Sequence, residues 1–238
     1  MAGDDDLSAT PRNPPTAGIE RLAHHEIPGH EASTDAGADH PMRVVTRRVA
    51  GLEPGGWDDD LRRKVSELFD SLAPDWNTRD TPERRAVVAD ALSRGLGAVP
   101  LRHVGGRPTI GLEIGSGTGV FSAAVAAVVD VAAATDLASE MLRTAPLGPA
   151  QRVRADASTL PVRASTVDLV AAINMFLFPD EVARILRVGG VVVWVNVSGP
   201  RTPIHLSTTE VVESLPFDVS GVEATAGAGT WCVLRRQS

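Results

Sequence analysis

The distribution of apolar residues along the chain changes at about residue 109. Downstream of this point, nearly continuous apolar runs alternate with segments long enough to form a helix. The first run ends at Ile114, and three more lie at residues 129–135, 167–173 and 191–197. Residues 151–155 form a further short run that is more polar. Apolar runs without polar alternation are typical of parallel strands that are covered by helices on both faces of the sheet. The pattern predicts an α/β fold built on a doubly wound, mostly parallel sheet.

The C-terminal part of the chain predicts the last two strands. Residues 219–225 and 230–236 are strand-like and flank the small residues 226–229, which is the pattern of a β-hairpin. Residues 208–215 can form a short helix before this hairpin. The Gly189–Gly190 pair, just before the fifth run, predicts the end of a helix.

Two amphipathic helices are predicted upstream of the sheet. Asp58 to Asp60 can cap the first helix, and Pro74 is expected to end it. Its apolar stripe consists of Leu61, Val65, Leu68, Phe69 and Leu72. Thr81 and Pro82 mark the start of the second helix. Residues 43–108 are therefore predicted to form an N-terminal helical cap.

The first 42 residues show neither helical nor alternating apolar periodicity. They are rich in Asp, Pro, Gly and Thr, and segments of this kind bury too little apolar surface to offset their ordering entropy. We predict a flexible tail over residues 1–42. Its four histidines, His24, His25, His30 and His40, are scattered among polar residues, so no metal site is assigned to them.

Candidate chemistry is concentrated in the glycine-rich turn at the end of the first strand. Gly115, Gly117 and Gly119 permit backbone torsions and a close ligand approach that a side chain would prevent. A dinucleotide-binding turn would require a glycine where this chain has Val120, and a P-loop would require a lysine, but the only lysine is Lys64. The turn is therefore expected to hold a nucleoside without a phosphate chain.

Residues 112–119, with the sequence Leu-Glu-Ile-Gly-Ser-Gly-Thr-Gly, resemble the first motif of class I S-adenosylmethionine-dependent methyltransferases. The resemblance implies S-adenosylmethionine as the cofactor. It also implies a Rossmann-like, seven-stranded sheet with one antiparallel edge strand. We expect residues 109–238 to form the cofactor-binding methyltransferase domain.

The resemblance, together with the rule that ligands bind outside the carboxyl ends of parallel strands, predicts the cofactor site. Asp136 is expected to bind the ribose hydroxyls and to cap the following helix, and Asp156 is expected to contact the adenine edge. The predicted cofactor-binding residues of the domain are Glu113, Gly115, Ser116, Gly117, Thr118, Gly119, Asp136, Leu137, Met141, Asp156, Ala157, Asn174 and Met175.

A second, shorter resemblance concerns the end of the first cap helix. Residues 68–76 are similar to a segment that precedes the catalytic fold in quinone-biosynthesis C-methyltransferases, where it covers the cofactor. This similarity implies that Trp76 covers the cofactor here. Packing of the indole in the protein core is the alternative that the sequence leaves open.

Methyl transfer requires few protein groups, because the sulfonium already activates the methyl group and the protein mainly aligns the reactants. An oxygen or carbon acceptor needs a base, and His205, in the loop after the fifth strand, is the candidate. His103, before the first strand, is a weaker one. Replacing His205 by alanine is expected to reduce turnover without weakening cofactor binding.

Charge and composition restrict the acceptor and the alternatives. The net charge of -7 argues against a nucleic-acid substrate, since phosphate binding needs clustered basic residues. Asn174 is followed directly by Met175 and Phe176, not by the two prolines of amino-directed nucleic-acid enzymes, and the sole cysteine, Cys232, lies in an apolar run. Tyrosine is absent, which excludes the Tyr-x-x-x-Lys pair of short-chain dehydrogenases.

We therefore predict an enzyme that transfers a methyl group to a small organic acceptor. The alternative is a non-catalytic protein of the same fold that binds S-adenosylmethionine and regulates or stabilises a partner. A single cysteine and the lack of a signal peptide or apolar span predict a cytoplasmic protein that does not contact membranes. A monomer or a homodimer is expected.

Overall fold

The computed structural model describes residues 18–30, 40–103 and 105–238. The strands are β1 (Ile19–Arg21), β2 (Ile110–Ile114), β3 (Val131–Asp136), β4 (Gln151–Arg154), β5 (Val167–Ile173), β6 (Leu186–Asn196), β7 (Val219–Ala226) and β8 (Gly229–Arg236). The α-helices are α1 (Met42–Val49), α2 (Asp59–Leu72), α3 (Pro82–Asp90), α4 (Leu96–Ala98), α5 (Ser122–Ala126), α6 (Ser139–Thr144), α7 (Pro179–Ile185) and α8 (Thr208–Ser214). A 3₁₀ helix covers Ala73–Arg79, a π-helix covers Ala91–Gly95, and a short 3₁₀ turn covers Gly199–Arg201.

The described strands form one mixed sheet in the order β1-β7-β8-β6-β5-β2-β3-β4. Strands β6, β5, β2, β3 and β4 pair in parallel, whereas β8 is antiparallel to both β6 and β7. The predicted Rossmann-like α/β fold is confirmed, and so is the C-terminal hairpin. The antiparallel strand was predicted at the edge of the sheet, but β8 lies between β6 and β7, because β1 and β7 lie outside it.

The eighth strand comes from the segment that was predicted to be a flexible tail. Ile19 pairs with Gly221 on the outer edge of β7, and Ile27 is buried. The free backbone groups of an edge strand can pair with any extended segment, so this strand needs no apolar periodicity of its own. The tail prediction is therefore wrong for residues 18–30. Residues 1–17 and 31–39 lie outside the described residues.

The cap helices begin where the capping residues predict. The Asp58 carboxylate accepts a hydrogen bond from the Leu61 amide at the start of α2, and Thr81 caps α3. Helix α2 ends at Leu72, just before Pro74, as predicted. The chain continues as the 3₁₀ helix, in which Pro74 takes one of the first positions, where no amide hydrogen is needed. Helix α1 was not predicted.

The Gly189–Gly190 pair was expected to stop a helix, but it lies inside β6. Val167 pairs with Leu186, and the next regular pair is Leu169 with Val191, so the two glycines belong to a bulge of β6. Beyond the bulge, β5 and β6 are buried on both faces of the sheet. None of the helices in the described part of the chain combines the length and the apolar character needed to cross a bilayer.

Candidate functional site

A crevice with about 980 Å³ of empty space, open solvent included, lies where the carboxyl ends of β2, β3 and β5 meet the helical cap. One wall is formed by the strand ends and the turns that follow them, and the other by α2, the 3₁₀ helix and the start of α3. The predicted cofactor residues that line it are Trp76, Glu113, Gly115, Ser116, Gly117, Asp136, Leu137, Met141, Ala157, Asn174 and Met175. Thr118, Gly119, Asp156 and His205 are not among the lining residues.

The glycine turn after β2 forms the floor of the crevice. Gly115, Gly117 and Gly119 have φ angles of 67°, 55° and 77°, a region that residues with a side chain rarely adopt. A Cβ atom on Gly115 would lie 2.1 Å from the Met175 Sδ, and one on Gly117 would lie 3.5 Å from the Trp76 Nε1. The turn therefore has both the backbone shape and the lack of side chains that a closely seated ligand needs.

Glu113 lies at the end of β2 and is 2 % exposed. Its Oε2 accepts a hydrogen bond from the Ser122 hydroxyl at the start of α5. Burial raises the pKa of the Glu113 carboxyl to about 7, and the hydrogen bond from Ser122 opposes this shift only in part. A carboxyl group with a pKa near neutrality, at the base of a crevice, marks a functional site rather than a solvent-facing ion.

Asp136 connects the end of β3 to the glycine turn. Its Oδ2 accepts from the Gly117 amide at 2.7 Å, and its Oδ1 accepts from the Ala138 amide at 2.8 Å. Burial raises the pKa of Asp136, while the backbone hydrogen bonds act in the opposite direction. The capping prediction for Asp136 is wrong, because Asp70 of α2 accepts from the Glu140 amide in the first turn of α6.

Asn174 follows β5 and adopts a positive φ of 49°, which is uncommon for a residue other than glycine. Its amide donates to the Val195 carbonyl at 2.8 Å, and its side-chain Oδ1 accepts from the Val197 amide at 2.9 Å. These two bonds, to β6 and to the residue that follows it, hold Asn174 in the unfavourable conformation. Strained backbone that is fixed in this way is concentrated at ligand sites.

The Asp156 side chain accepts hydrogen bonds from the cap and does not line the crevice. Both of its carboxylate oxygens accept from the Trp57 Nε1, each at 3.1 Å, and Arg62 lies 3.6 Å away. The Trp57 ring lies 5.9 Å from the Phe176 ring and 5.3 Å from the Phe178 ring, measured between centroids. Trp57 therefore lines the crevice where Asp156 was expected. No local pattern indicates this role of Trp57, since the residue lies before the first periodic segment.

Trp76 packs against a residue of the cap and also lines the crevice. Its ring packs edge-on against Phe69 at 5.6 Å, and it also lines the crevice above Gly117. Next to it, Asn77 accepts a hydrogen bond from the Thr118 hydroxyl. Thr118, a predicted cofactor residue, thus connects the glycine turn to the cap.

His205 is not placed at the crevice, although its neighbour Ile204 is. Burial, followed by the positive charge of Arg43, lowers the pKa of His205 to about 4. A group with such a low pKa is a weak base at neutral pH. His103 is exposed and also lies away from the lining residues, so the structure brings neither histidine to the site.

Three charged lining residues were not predicted: Arg79, Asp80 and Arg84. They belong to the end of the 3₁₀ helix and the first turn of α3. In the sequence, nothing distinguishes them from other polar residues around the start of a helix. Their position at the crevice depends on how the cap packs against the strand ends.

The residues at the strand ends fit S-adenosylmethionine. The glycine floor lies beside the carboxylate of Asp136, which can accept from ribose hydroxyls. Trp57 and Trp76 supply aromatic surface, and the acids Glu113 and Asp136 suit a cationic sulfonium. No group of three or more His, Cys, Asp or Glu side chains that could hold a metal ion occurs within the described ranges.

Comparisons with known proteins agree with this arrangement. Residues 112–194 match the family model described as "Methyltransferase domain". No curated protein matches the chain in sequence.

Among solved structures, the complex of DhpI with SAH shares 18 % identity over 76 % of this chain and 99 % of that one, with a TM-score of 0.57. A Thermotoga maritima S-adenosylmethionine-dependent methyltransferase, described as a possible histamine N-methyltransferase, shares 16 % identity over 72 % of this chain and 99 % of that one, with a TM-score of 0.54. At these identities the likeness establishes the fold, and the family match falls on the strands that build the crevice. Residues 112–194 of the chain thus carry a methyltransferase domain, on the fold shared with S-adenosylmethionine-dependent methyltransferases.

Proposed function

We propose that this enzyme transfers the methyl group of S-adenosylmethionine to a small organic acceptor bound under the helical cap. The observation that carries the proposal is the crevice itself, in which a glycine floor and the Asp136 carboxylate face aromatic residues of the cap. When bound, the cofactor supplies an electrophilic methyl group. The protein residues then bind, orient and shield the two reactants.

Each wall of the crevice has a separate part in this proposal. Asp136 accepts hydrogen bonds from the ribose hydroxyls, Gly115 and Gly117 let the ligand approach the backbone, and Ala157 borders the nucleobase. Trp57 and Trp76 exclude water from the cofactor side. Ser116, Leu137, Met141, Asn174 and Met175 complete the proposed cofactor shell.

A small acceptor is supported by the apolar lining of the crevice and by the charge of the protein. Phe176, Phe178 and Ile204 form apolar surface beside the cap, which suits an organic molecule rather than a polymer. The net charge of -7 does not favour nucleic acid. We further propose a cytoplasmic setting without membrane contact, and a monomer or homodimer.

The proposal is tested by incubating the protein with methyl-labelled S-adenosylmethionine and a cell extract separated by molecular size. Label should enter the low-molecular-weight fraction, and the Asp136→Ala variant should lose this transfer. Label that enters only nucleic acid or protein would contradict a small acceptor. Binding of the cofactor without any transfer would favour the alternative function, a non-catalytic protein that stabilises or regulates a partner.

A further inference from the structure

Two arginines on the cap wall of the crevice have no part in the cofactor shell described above. Arg79 and Arg84 both line the crevice, and an Arg84 Nη1 hydrogen donates to the Arg79 carbonyl at 2.7 Å. The Arg79 guanidinium lies 4.6 Å from the centre of the Trp76 ring, which itself lies over Gly117. The arginine pair is therefore next to the place where the glycine floor meets the cap.

The positive charge of this pair is balanced only in part by its neighbours. Asp80 is the nearby carboxylate, but its two oxygens accept from Arg85 at 2.8 and 2.6 Å. The Arg84 Nε is buried and has no hydrogen-bond partner among the described residues. A buried donor without a partner is costly, so its presence in a crevice indicates a group that a ligand satisfies. Burial and then the charge of Arg79 lower the pKa of Arg84, in agreement with this crowding of positive charge.

The crevice thus has an acidic wall and a basic wall. Glu113 and Asp136 lie at the strand ends, whereas Arg79 and Arg84 lie on the cap together with Asp80, whose carboxylate is paired with Arg85. A sulfonium is attracted to carboxylates and repelled by guanidinium groups. If the cofactor occupies the acidic wall, as proposed above, the basic wall is left to the second reactant.

We infer that Arg79 and Arg84 form an anion subsite, and that the methyl acceptor carries a carboxylate or phosphate group bound there. Guanidinium groups present planar, paired donors that match the oxygen atoms of such anions. The inference rests on the proposed function, because it needs a cofactor on the opposite wall. The carboxylate of the cofactor's own amino-acid part has the same chemistry, and the experiment must separate the two sources.

The test uses inorganic phosphate as the probe, titrated at constant ionic strength into protein with 15N-labelled arginine, with and without saturating S-adenosylhomocysteine. The Nε–Hε NMR signal of Arg84 should shift saturably in both titrations. Arg84→Met should weaken phosphate binding at least about tenfold, whereas Arg84→Lys should retain part of it. The same variants should bind S-adenosylhomocysteine within about twofold of the wild type, by calorimetry. Arg63→Met is the matched control, since Arg63 is exposed on α2 and does not line the crevice.

Three results would overturn the inference. The first is the absence of a saturable shift, and the second is an equal loss of phosphate binding in Arg63→Met. The third is loss of phosphate binding when S-adenosylhomocysteine is present, together with weaker binding of that compound by Arg84→Met, which would assign the arginines to the cofactor carboxylate. Failure of the proposed function is recognised separately, because wild-type protein would then transfer no labelled methyl group to the low-molecular-weight fraction, whatever the phosphate titration shows.

Discussion

At the scale of single residues, Asp136 makes the clearest contribution to the account. Its carboxylate fixes the glycine turn through the Gly117 amide and lines the crevice. Asp136→Ala removes the proposed acceptor of the ribose hydroxyls, so the affinity for S-adenosylhomocysteine should fall by about 1 to 3 kcal/mol. Isothermal titration calorimetry measures this loss.

Asp130→Ala is the matched control for that experiment. Asp130 also accepts hydrogen bonds from a backbone amide and a hydroxyl, both of Thr109, but it does not line the crevice. This variant should lose stability while keeping the wild-type affinity for S-adenosylhomocysteine. Equal affinities in the two variants would remove Asp136 from the cofactor site.

Glu113 should make the stability of the fold depend on pH. Its pKa is raised from 4.5 to about 7 by burial, so the folded protein keeps this proton while the unfolded chain releases it. The folded state then binds more protons between about pH 4.5 and 7, and the free energy of unfolding must fall as the pH rises through this range. The total loss due to Glu113 is on the order of 3 kcal/mol.

Glu113→Gln isolates this effect, because the amide oxygen can still accept from Ser122 but cannot ionise. Urea denaturation of both proteins at several pH values gives the difference in their free energies of unfolding. The free energy of unfolding of the variant, relative to that of the wild type, should increase between pH 5 and 7 and stay constant above pH 8. A difference that does not change with pH would show that Glu113 ionises normally.

Gly115 should tolerate no side chain. In Gly115→Ala the new methyl would lie 2.1 Å from the Met175 Sδ, at a backbone φ of 67°. Overpacking and the left-handed conformation together should cost about 2 to 4 kcal/mol of stability and should weaken S-adenosylhomocysteine binding. Gly148→Ala is the control, since a Cβ there meets nothing within 4 Å. Similar melting temperatures for the two variants would contradict the tight packing of the floor.

At the scale of elements, the cap packs on the sheet domain through buried apolar residues, and three polar bonds join the two beside the crevice. These are the bonds from Trp57 to Asp156, from Thr118 to Asn77 and from the Glu140 amide to Asp70. A ligand in the crevice would touch both sides of this junction. Hydrogen exchange in Asp59–Leu72 and Ala73–Arg79 should therefore slow when S-adenosylhomocysteine binds.

The control for this exchange measurement is α8 at Thr208–Ser214, none of whose residues lines the crevice. Its exchange should not change with ligand. An equal slowing of α8 and the cap would indicate a general gain of stability, and no slowing in the cap would show that it does not cover the ligand.

The elements that could be predicted are those whose own sequence determines them. The buried runs of β3, β5 and β6 and the capped start of α2 carry their signals locally, through apolar composition and a capping aspartate. Strand β1 exists only because β7 offers it a free edge. The two glycines of β6 were predicted to stop a helix. A glycine with a positive φ, such as Gly189, is typical of a helix C-cap and also of a β-bulge, so the sequence does not distinguish the two.

At the scale of the whole molecule, the strand-end wall of the site follows from the sequence, whereas the cap wall does not. Gly115, Gly117 and Asp136 each follow a strand whose carboxyl end faces the crevice, so their convergence could be predicted from topology. Trp57 meets Asp156 across 99 residues of chain, and the direction of Arg84 depends on how α3 packs. Such long-range contacts leave no local pattern.

The central claim is that the crevice binds a sulfonium nucleoside, and the most direct test is calorimetric titration of the wild-type protein. S-adenosylmethionine and S-adenosylhomocysteine should each bind with one molecule per chain, and NAD should produce no binding heat. Binding of NAD, or no binding of either sulfur nucleoside, would contradict the account.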